Sequence, residues 1–264
     1  MTAPVLGYFE LAAAALLVVL NALLSLLLNM DLARTLLIAG LRVVVQLLLV
    51  GLVLKTVFAL DSPTLVATVM LVMLAMASYE IFSRQERRYA GPWGLGIGAG
   101  TTMLATLFVT VFALLTLRPS PWFAPQVTIP MFGIVLGSVM SSVSISLNAF
   151  NTGIMRERAS IEAQLALGIN RYLALRPIQR SALRSGMIPI INQMSAAGII
   201  TLPGMMTGQI LAGVAPFEAA KYQILVMFLL AGGAGLGALA ATYVAVWRST
   251  DDRDRLRLDR LVKG

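Results

Sequence analysis

The chain has 264 residues, 58% of them hydrophobic, and a mean hydropathy of +0.86, against about 45–50% apolar residues in ordinary soluble domains. It holds neither cysteine nor histidine, which excludes a disulfide framework and the commonest transition-metal ligands. The net charge of +8 fits Lys and Arg gathered at a cytoplasmic membrane surface, and nucleic-acid binding is not expected.

The apolar residues come in continuous blocks rich in Leu, Ala, Val and Met. A lipid-crossing helix takes ~20 such residues. A membrane β-barrel would instead show short alternating segments. The expected fold is therefore all-α and integral to the membrane, with about seven transmembrane helices and one amphipathic cytoplasmic helix. The spans fall at 8–28, 36–59, 64–83, 94–117, 129–150, 187–212 and 219–247. The first lacks a basic leader region and is read as a retained helix. The whole chain, 1–264, reads as one transmembrane permease domain with no defensible internal repeat.

Counting Lys and Arg in the connections sets the orientation. One side carries 17, including Arg84, Arg87, Arg88 and the run from Arg156 to Arg184. The other carries only Lys55, Arg118 and Lys221. The positive side faces the cytoplasm, so the N-terminus lies outside and the C-terminus inside. The outer loop 118–128 contains Pro119, Pro121 and Trp122, which suit an interfacial turn. The tail 248–264 alternates Asp and Arg and reads as a solvated helix or a frayed end.

Small residues recur at four-residue spacing: Gly94/Gly98, Gly133/Gly137/Ser141 and Gly233/Gly237/Ala241. Such faces let helix backbones approach closely in lipid. They serve packing within one bundle or, sharpest for the last span, a dimer interface. In the sixth span Pro203 removes a helix hydrogen bond and Gly204 weakens the turn. At ~1.5 Å per residue, 187–212 is also longer than the ~30 Å hydrocarbon core. A kink or a re-entrant outer half is expected there.

Polar residues inside the spans are candidate pathway residues or interhelical glue. The fifth span lines up Gly137, Ser141, Ser144 and Asn148 on one face, and the sixth contributes Asn192, Gln193, Thr201, Thr207 and Gln209. The pathway candidates are Glu80, Asn148, Asn192 and Gln209, with the neighbouring Met205 and Met206. Glu80 has Arg84 one turn on, in the favourable order for a salt bridge. A metal site could use Glu80, Asn and Gln oxygens and Met thioethers, but not His or Cys, although the 14 methionines read more readily as adaptable packing than as ligands.

The long basic connection 151–186 is the candidate coupling loop. Ile161, Leu165, Gly168 and Tyr172 fall on one helical face, and Gly168 breaks or caps the helix. Such a segment docks into a partner's groove or lies on the lipid surface. Its Glu162, Ala163, Gly168 and Ile178 match the spacing of the coupling loop of ABC permeases. Gln164 and Arg180-Ser181 depart from that motif.

With the run Leu202-Pro203-Gly204-Met205-Met206-Thr207-Gly208-Gln209-Ile210-Leu211-Ala212-Gly213, the chain resembles the FetB-type permeases. These are bacterial iron-export subunits related to plant aluminium-tolerance permeases. Ala219-Ala220-Lys221-Tyr222-Gln223, Arg42, Gln46 and Glu80 fit the same family. One departure is Gly137-Ser138, where the family pattern has Gly-Asn.

The resemblance implies the membrane subunit of an ABC-type exporter in the bacterial inner membrane. It would work as a homodimer with a separate cytosolic ATPase docked at Glu162, Ala163, Leu165 and Gly168, and would export metal. The chain has no Gly-Lys pair and hence no phosphate-binding loop. It is thus expected to be no enzyme and to bind no cofactor, ATP lying on the partner. A secondary carrier, an ABC permease for a non-metal solute or lipid-like substrate, and a membrane enzyme or assembly factor are the competing readings.

Overall fold

The computed structural model describes residues 7–60, 62–121 and 123–263; Trp122, the expected interfacial tryptophan, lies outside them. The described chain is overwhelmingly helical. Among the described residues six helices are long and apolar enough to cross a membrane: Phe9–Leu27, Ala33–Leu60, Pro63–Ser83, Pro92–Leu117, Pro125–Arg156 and Pro216–Arg248. They correspond to six of the seven expected spans and belong to α1 (Tyr8–Leu27), α2 (Ala33–Leu60), α3 (Pro63–Ser83), α4 (Pro92–Leu117), α5 (Pro125–Arg156) and α10 (Pro216–Arg248).

The expected span 187–212 is not one helix. The helix there, α8, begins at Arg176 and ends at Ala196; α9 then runs only from Gly204 to Leu211. Arg176, Arg180 and Arg184 give α8 a charged first half, so it is too polar to count with the six. Eight residues of α9 rise about 12 Å, far short of a ~30 Å hydrocarbon core. The break opens earlier than Pro203. Gly198 adopts φ +84°, its N–H donates to the Thr201 carbonyl at 2.9 Å, and Pro203 serves as the N-cap of α9.

Two compact units divide the chain, one ending at Ser62 and one beginning at Pro63. In the first, α1 and α2 form a hairpin. Its turn is fixed by the Leu32 N–H donating to Ser25 Oγ at 3.0 Å. The second is built around α5, which packs against α3, α4, α8 and α10. Val135, Val139, Val143, Leu147, Phe150 and Ile154 form a fully buried stripe along it.

In lipid there is little hydrophobic drive between helices, so close packing must hold them. The glycines show how. A Cβ on Gly237 would lie 2.6 Å from Val139 Cγ1, one on Gly98 2.7 Å from Ile81 Cγ2, and one on Gly94 2.3 Å from the Tyr89 carbonyl oxygen. The Gly233/Gly237/Ala241 stripe is therefore occupied within the chain, against α5 and α4. It is not free to form a dimer face.

The tail also departs from expectation. It folds back, and β2 (Leu261–Lys263) pairs antiparallel with β1 (Arg87–Tyr89) in the α3–α4 connection. Leu261 is buried. Tyr89 is buried too, its hydroxyl 3.1 Å from the Ala245 carbonyl and 2.7 Å from Ser249 Oγ. Burial pushes this phenol well above its ordinary value. Asp251 closes the tail turn by accepting from the Arg253 and Arg255 N–H groups at 3.0 and 2.9 Å. Those donors and the Arg255 guanidinium hold its carboxyl down to about 2.

Candidate transport groove and docking face

A groove of about 300 Å³ lies between α5, α8 and α10. Gly133, Gly137, Ser138 and Ser141 of α5 form one wall, and Pro189, Ile190 and Gln193 of α8 the other. The local cause is legible in the sequence. Gly137 has no atom within 4 Å of its absent Cβ, so the glycine leaves open space. Pro189 lies inside α8, where its ring removes one helical N–H.

Just below, the two helices close. A Cβ on Gly186 would fall 2.0 Å from Ser146 Oγ, and Ser142 Oγ donates to the Gly186 carbonyl at 2.8 Å. Ser138 Oγ donates weakly across to the Leu230 carbonyl at 3.4 Å. The lining thus offers hydroxyl, amide and carbonyl groups and no formal charge. No group of three or more His, Cys, Asp or Glu able to hold a metal occurs among the described residues.

The expected pathway residues separate in space. Glu80 binds Arg84, with 2.6 Å between Oε1 and Nη2. Asn148 Oδ1 accepts from the Glu86 N–H at 2.9 Å and so shapes the α3–α4 connection rather than the groove. Asn192 is exposed on α8 and does not line the groove, whereas its neighbour Gln193 does. Met205, Met206 and Gln209 lie half-buried on α9, which packs on α10. Gln209 Oε1 and, on α10, Gln223 Oε1 are buried without hydrogen-bond partners.

Two further polar features were not singled out by sequence. Thr102, Thr106 and Thr110 place buried hydroxyls without partners along α4. Asn151, fully buried, donates to the Arg87 carbonyl at 2.9 Å and to Gln85 Oε1 at 3.3 Å. The threonines carry a four-residue spacing that was visible; the long-range reach of Asn151 was not.

A second face forms where α5 leads into α6 (Arg158–Ala166) and α7 (Arg171–Ala174). The end of α6 is a two-bond glycine cap. Gly168, at φ +83°, donates to the Leu165 carbonyl at 3.0 Å, and Ile169 donates to the Gln164 carbonyl at 3.1 Å. Asn170 Oδ1 then caps α7 by accepting from the Tyr172 N–H at 2.8 Å.

The expected apolar stripe is partly turned inward. Ile161 is buried and Leu165 packs against the core, because the chain supplies its own groove for them. Tyr172 stacks beside Tyr243, ring centroids 5.9 Å apart. The outward apolar residues are Leu167, 82% exposed, and Leu173, 58% exposed, flanked by exposed Glu162, Ala163 and Ala166. Arg171 ties this face to the tail through Asp254 and through Thr250 Oγ1 at 3.1 Å. A cleft of about 310 Å³ remains between Glu162, Leu165 and Ala166 on one side and Arg253 to Leu256 on the other.

Comparison with known proteins agrees with this architecture. The model of the uncharacterised protein family UPF0014 matches residues 8–249. A Synechocystis protein described as UPF0014 membrane protein slr1647 is 36% identical over 217 residues, 81% of this chain and 82% of its own length. The Escherichia coli protein named "Probable iron export permease protein FetB" is 30% identical over 258 residues, 96% of each chain. The Arabidopsis thaliana protein ALUMINUM SENSITIVE 3 is 31% identical over 246 residues, 92% of this chain and 87% of its own. No solved structure matches. With six long apolar helices and a family match covering nearly its whole length, this multi-pass membrane protein belongs to the UPF0014 family.

Proposed function

We propose that this chain is the membrane-spanning subunit of an ABC-type exporter that works with a separate ATPase and moves metal, iron foremost, out of the cytosol. The observation that carries the reading is the α6–α7 face. A short helix leaves the long α5, is capped by Gly168, and together with α7 presents Leu167 and Leu173 outward. Exposed apolar groups of that kind call for a cover. A helix-in-groove contact with a cytosolic ATPase supplies one, and α5 gives it a direct mechanical route to the groove wall.

The charge asymmetry supports placing this face and the tail in the cytoplasm, with the N-terminus outside. The bacterial inner membrane is the setting that fits. The broken α8–α9 segment would complete the seventh crossing, since irregular backbone at membrane depth survives where it lines a cavity or is buried in protein. A homodimer would give two such halves around one path. The neutral oxygen lining of the groove suits a cargo that is passed along rather than held, and hard cations accept oxygen donors. The name carried by the Escherichia coli relative supports the metal assignment.

The test is reconstitution. The purified chain alone should hydrolyse no ATP. With an ATPase encoded beside its gene, it should form a stable complex whose hydrolysis rises with the exported cation. Leu167→Asp should abolish co-purification of the ATPase while leaving the bundle folded, because an unpaired carboxylate buried at the interface costs several kcal/mol. Undiminished co-purification by Leu167→Asp and Gly168→Trp together would reject the docking assignment. A folded complex whose ATPase ignores every metal cation but responds to another solute would reject the cargo assignment alone.

A further inference from the structure

The outward faces of α4 and α10 meet at one end of the bundle in a cluster that neither the transport groove nor the docking face uses. Trp93, in the first turn of α4, and Trp247, in the last turn of α10, stand with ring centroids 5.5 Å apart and planes inclined by 57°. Both are substantially exposed. Along α10 the residues above Trp247, namely Leu236, Leu239 and Tyr243, are exposed as well. They give a continuous apolar strip that ends on an indole.

Positive charge lies beside the Trp93 ring. The Arg248 guanidinium sits 5.2 Å from the Trp93 ring centroid. Arg260 is fastened beside it, its Nη1 donating to the Arg248 carbonyl at 2.9 Å and the Thr250 carbonyl at 3.2 Å. The nearby carboxylate, Asp259, is taken by Arg257 through two hydrogen bonds of 2.8 and 2.7 Å. Among the described residues no carboxylate pairs with Arg248 or Arg260. Arg248 Nε is buried without any hydrogen-bond partner. The β1–β2 pairing holds the tail, and with it Arg260, against this end of the bundle.

We propose that Trp93, Trp247, Arg248 and Arg260 form a binding site for the phosphodiester of an anionic phospholipid. One acyl chain would rest along the α10 strip, and the headgroup would be held by the two guanidiniums. Each part meets a known requirement. Indoles settle at the headgroup level of a bilayer. A guanidinium fork matches phosphate oxygens. Basic pockets at helix ends select anionic lipids. An anionic ligand also adds negative charge beside two guanidiniums that have, among the described carboxylates, only Asp259 near them, itself held by Arg257. Because the tail carries Arg260, a bound lipid would cement β2 to β1 and steady the end of the bundle from which α6 and α7 project.

The experiment uses the full chain in phosphatidylcholine nanodiscs, in a Trp122→Phe background so that fluorescence comes from Trp93 and Trp247. Brominated phosphatidylglycerol is titrated in, and brominated phosphatidylcholine in parallel. Preferential quenching by the anionic lipid is expected, at a mole fraction lower by about fivefold for each arginine that contributes. Arg248→Gln with Arg260→Gln should erase the preference. Arg248→Lys should keep the preference but weaken it, since an ammonium keeps the charge and loses the fork, and Arg118→Gln, at the opposite end of α4, should leave it unchanged.

Equal quenching by the two lipids in the unaltered protein overturns the proposal. So does a preference that survives the double substitution, or one that Arg118→Gln reduces as much, since that is bulk charge. Loss of the preference in millimolar inorganic phosphate would assign the site to a free anion and not to lipid. If the double variant does not fold, the lipid comparison, the phosphate competition and Arg248→Lys still decide the matter on folded protein.

Discussion

Helices α2 and α5 have similar lengths and are both apolar enough to cross a membrane, yet they do opposite things. The 28 residues of α2 bury two side chains, Ala33 and Val57. Of the 32 residues of α5, seventeen are buried, Gly153 among them. Leu41, Leu47, Leu48 and Leu52 of α2 all stand open, whereas Val135, Val139 and Phe150 of α5 are enclosed. In water such a difference would mark α2 as misfolded or as an interface. In a bilayer lipid is as good a neighbour as leucine, so an apolar helix needs no protein cover. What sets α5 apart is shape: glycines opposite it on α8 and α10, and polar atoms that only a neighbouring backbone can satisfy.

The sharpest test of that contrast is a matched pair of glycine substitutions. Gly186→Val should lower stability by about 3 kcal/mol or more, because its Cβ would lie 2.0 Å from Ser146 Oγ and 2.6 Å from the Ser142 carbonyl oxygen. Gly51→Val on α2, with nothing within 4 Å, should stay within about 0.5 kcal/mol. Thermal unfolding in detergent reads both, and similar shifts in the two variants would erase the distinction.

Truncation gives the next largest effect. Phe150→Ala should cost about 3–5 kcal/mol through the cavity it leaves. Leu48→Ala should cost almost nothing in the isolated chain. A large loss at Leu48 that appears only in the assembled complex would show that a partner, and not lipid, covers α2.

A smaller effect is expected at Asn151, which reaches from α5 to the Arg87 carbonyl. Asn151→Ala leaves that carbonyl unsatisfied and should cost about 1–3 kcal/mol. Hydrogen exchange should accelerate together at 87–89 and 261–263, with the α1–α2 hairpin unchanged. Faster exchange in the hairpin, or none in the strands, would contradict the role given to Asn151.

The smallest is the acid response of the tail. Asp251 is held at about 2, chiefly by the Arg255 backbone N–H, and Asp259 at about 2 by the Arg257 guanidinium, against an ordinary 3.8. Both are lowered on folding, so their contribution is present above 3.8 and is lost as the pH falls toward about 2. Proteolysis of 249–263 should therefore rise over that interval and not between neutrality and 4. Asp251→Asn should flatten the rise, and an unchanged profile would discount Asp251 as the latch of the tail turn.

Much of the local shape of the α6–α7 segment was legible. The glycine at 168 after an amphipathic run announced the end of α6, because a left-handed residue is needed to close the helix and glycine takes that conformation without cost. The break near Pro203 was legible too, although Gly198 and the Ala197–Thr201 turn start it sooner. The salt bridge between Glu80 and Arg84 followed from one turn of spacing. The tail was not legible. Strands of three residues carry too little pattern to read, and alternating Asp and Arg suit a solvated helix as well as a turn fastened by Asp251.

The sequence by itself determined what depends on local chemistry: helices where apolar runs are long, caps where glycine or asparagine stands, a break where helix bonding fails. Only the tertiary structure decided which small-residue stripe was already filled, that Ile161 and Leu165 turn inward, and that Asn148 accepts from the Glu86 N–H outside the groove. It alone brought Arg260 to Arg248, and Gly137 opposite Pro189. The physical reason is that lipid accepts every apolar face alike. Hydropathy can say that a helix crosses, and only steric fit and buried hydrogen bonds choose its neighbours.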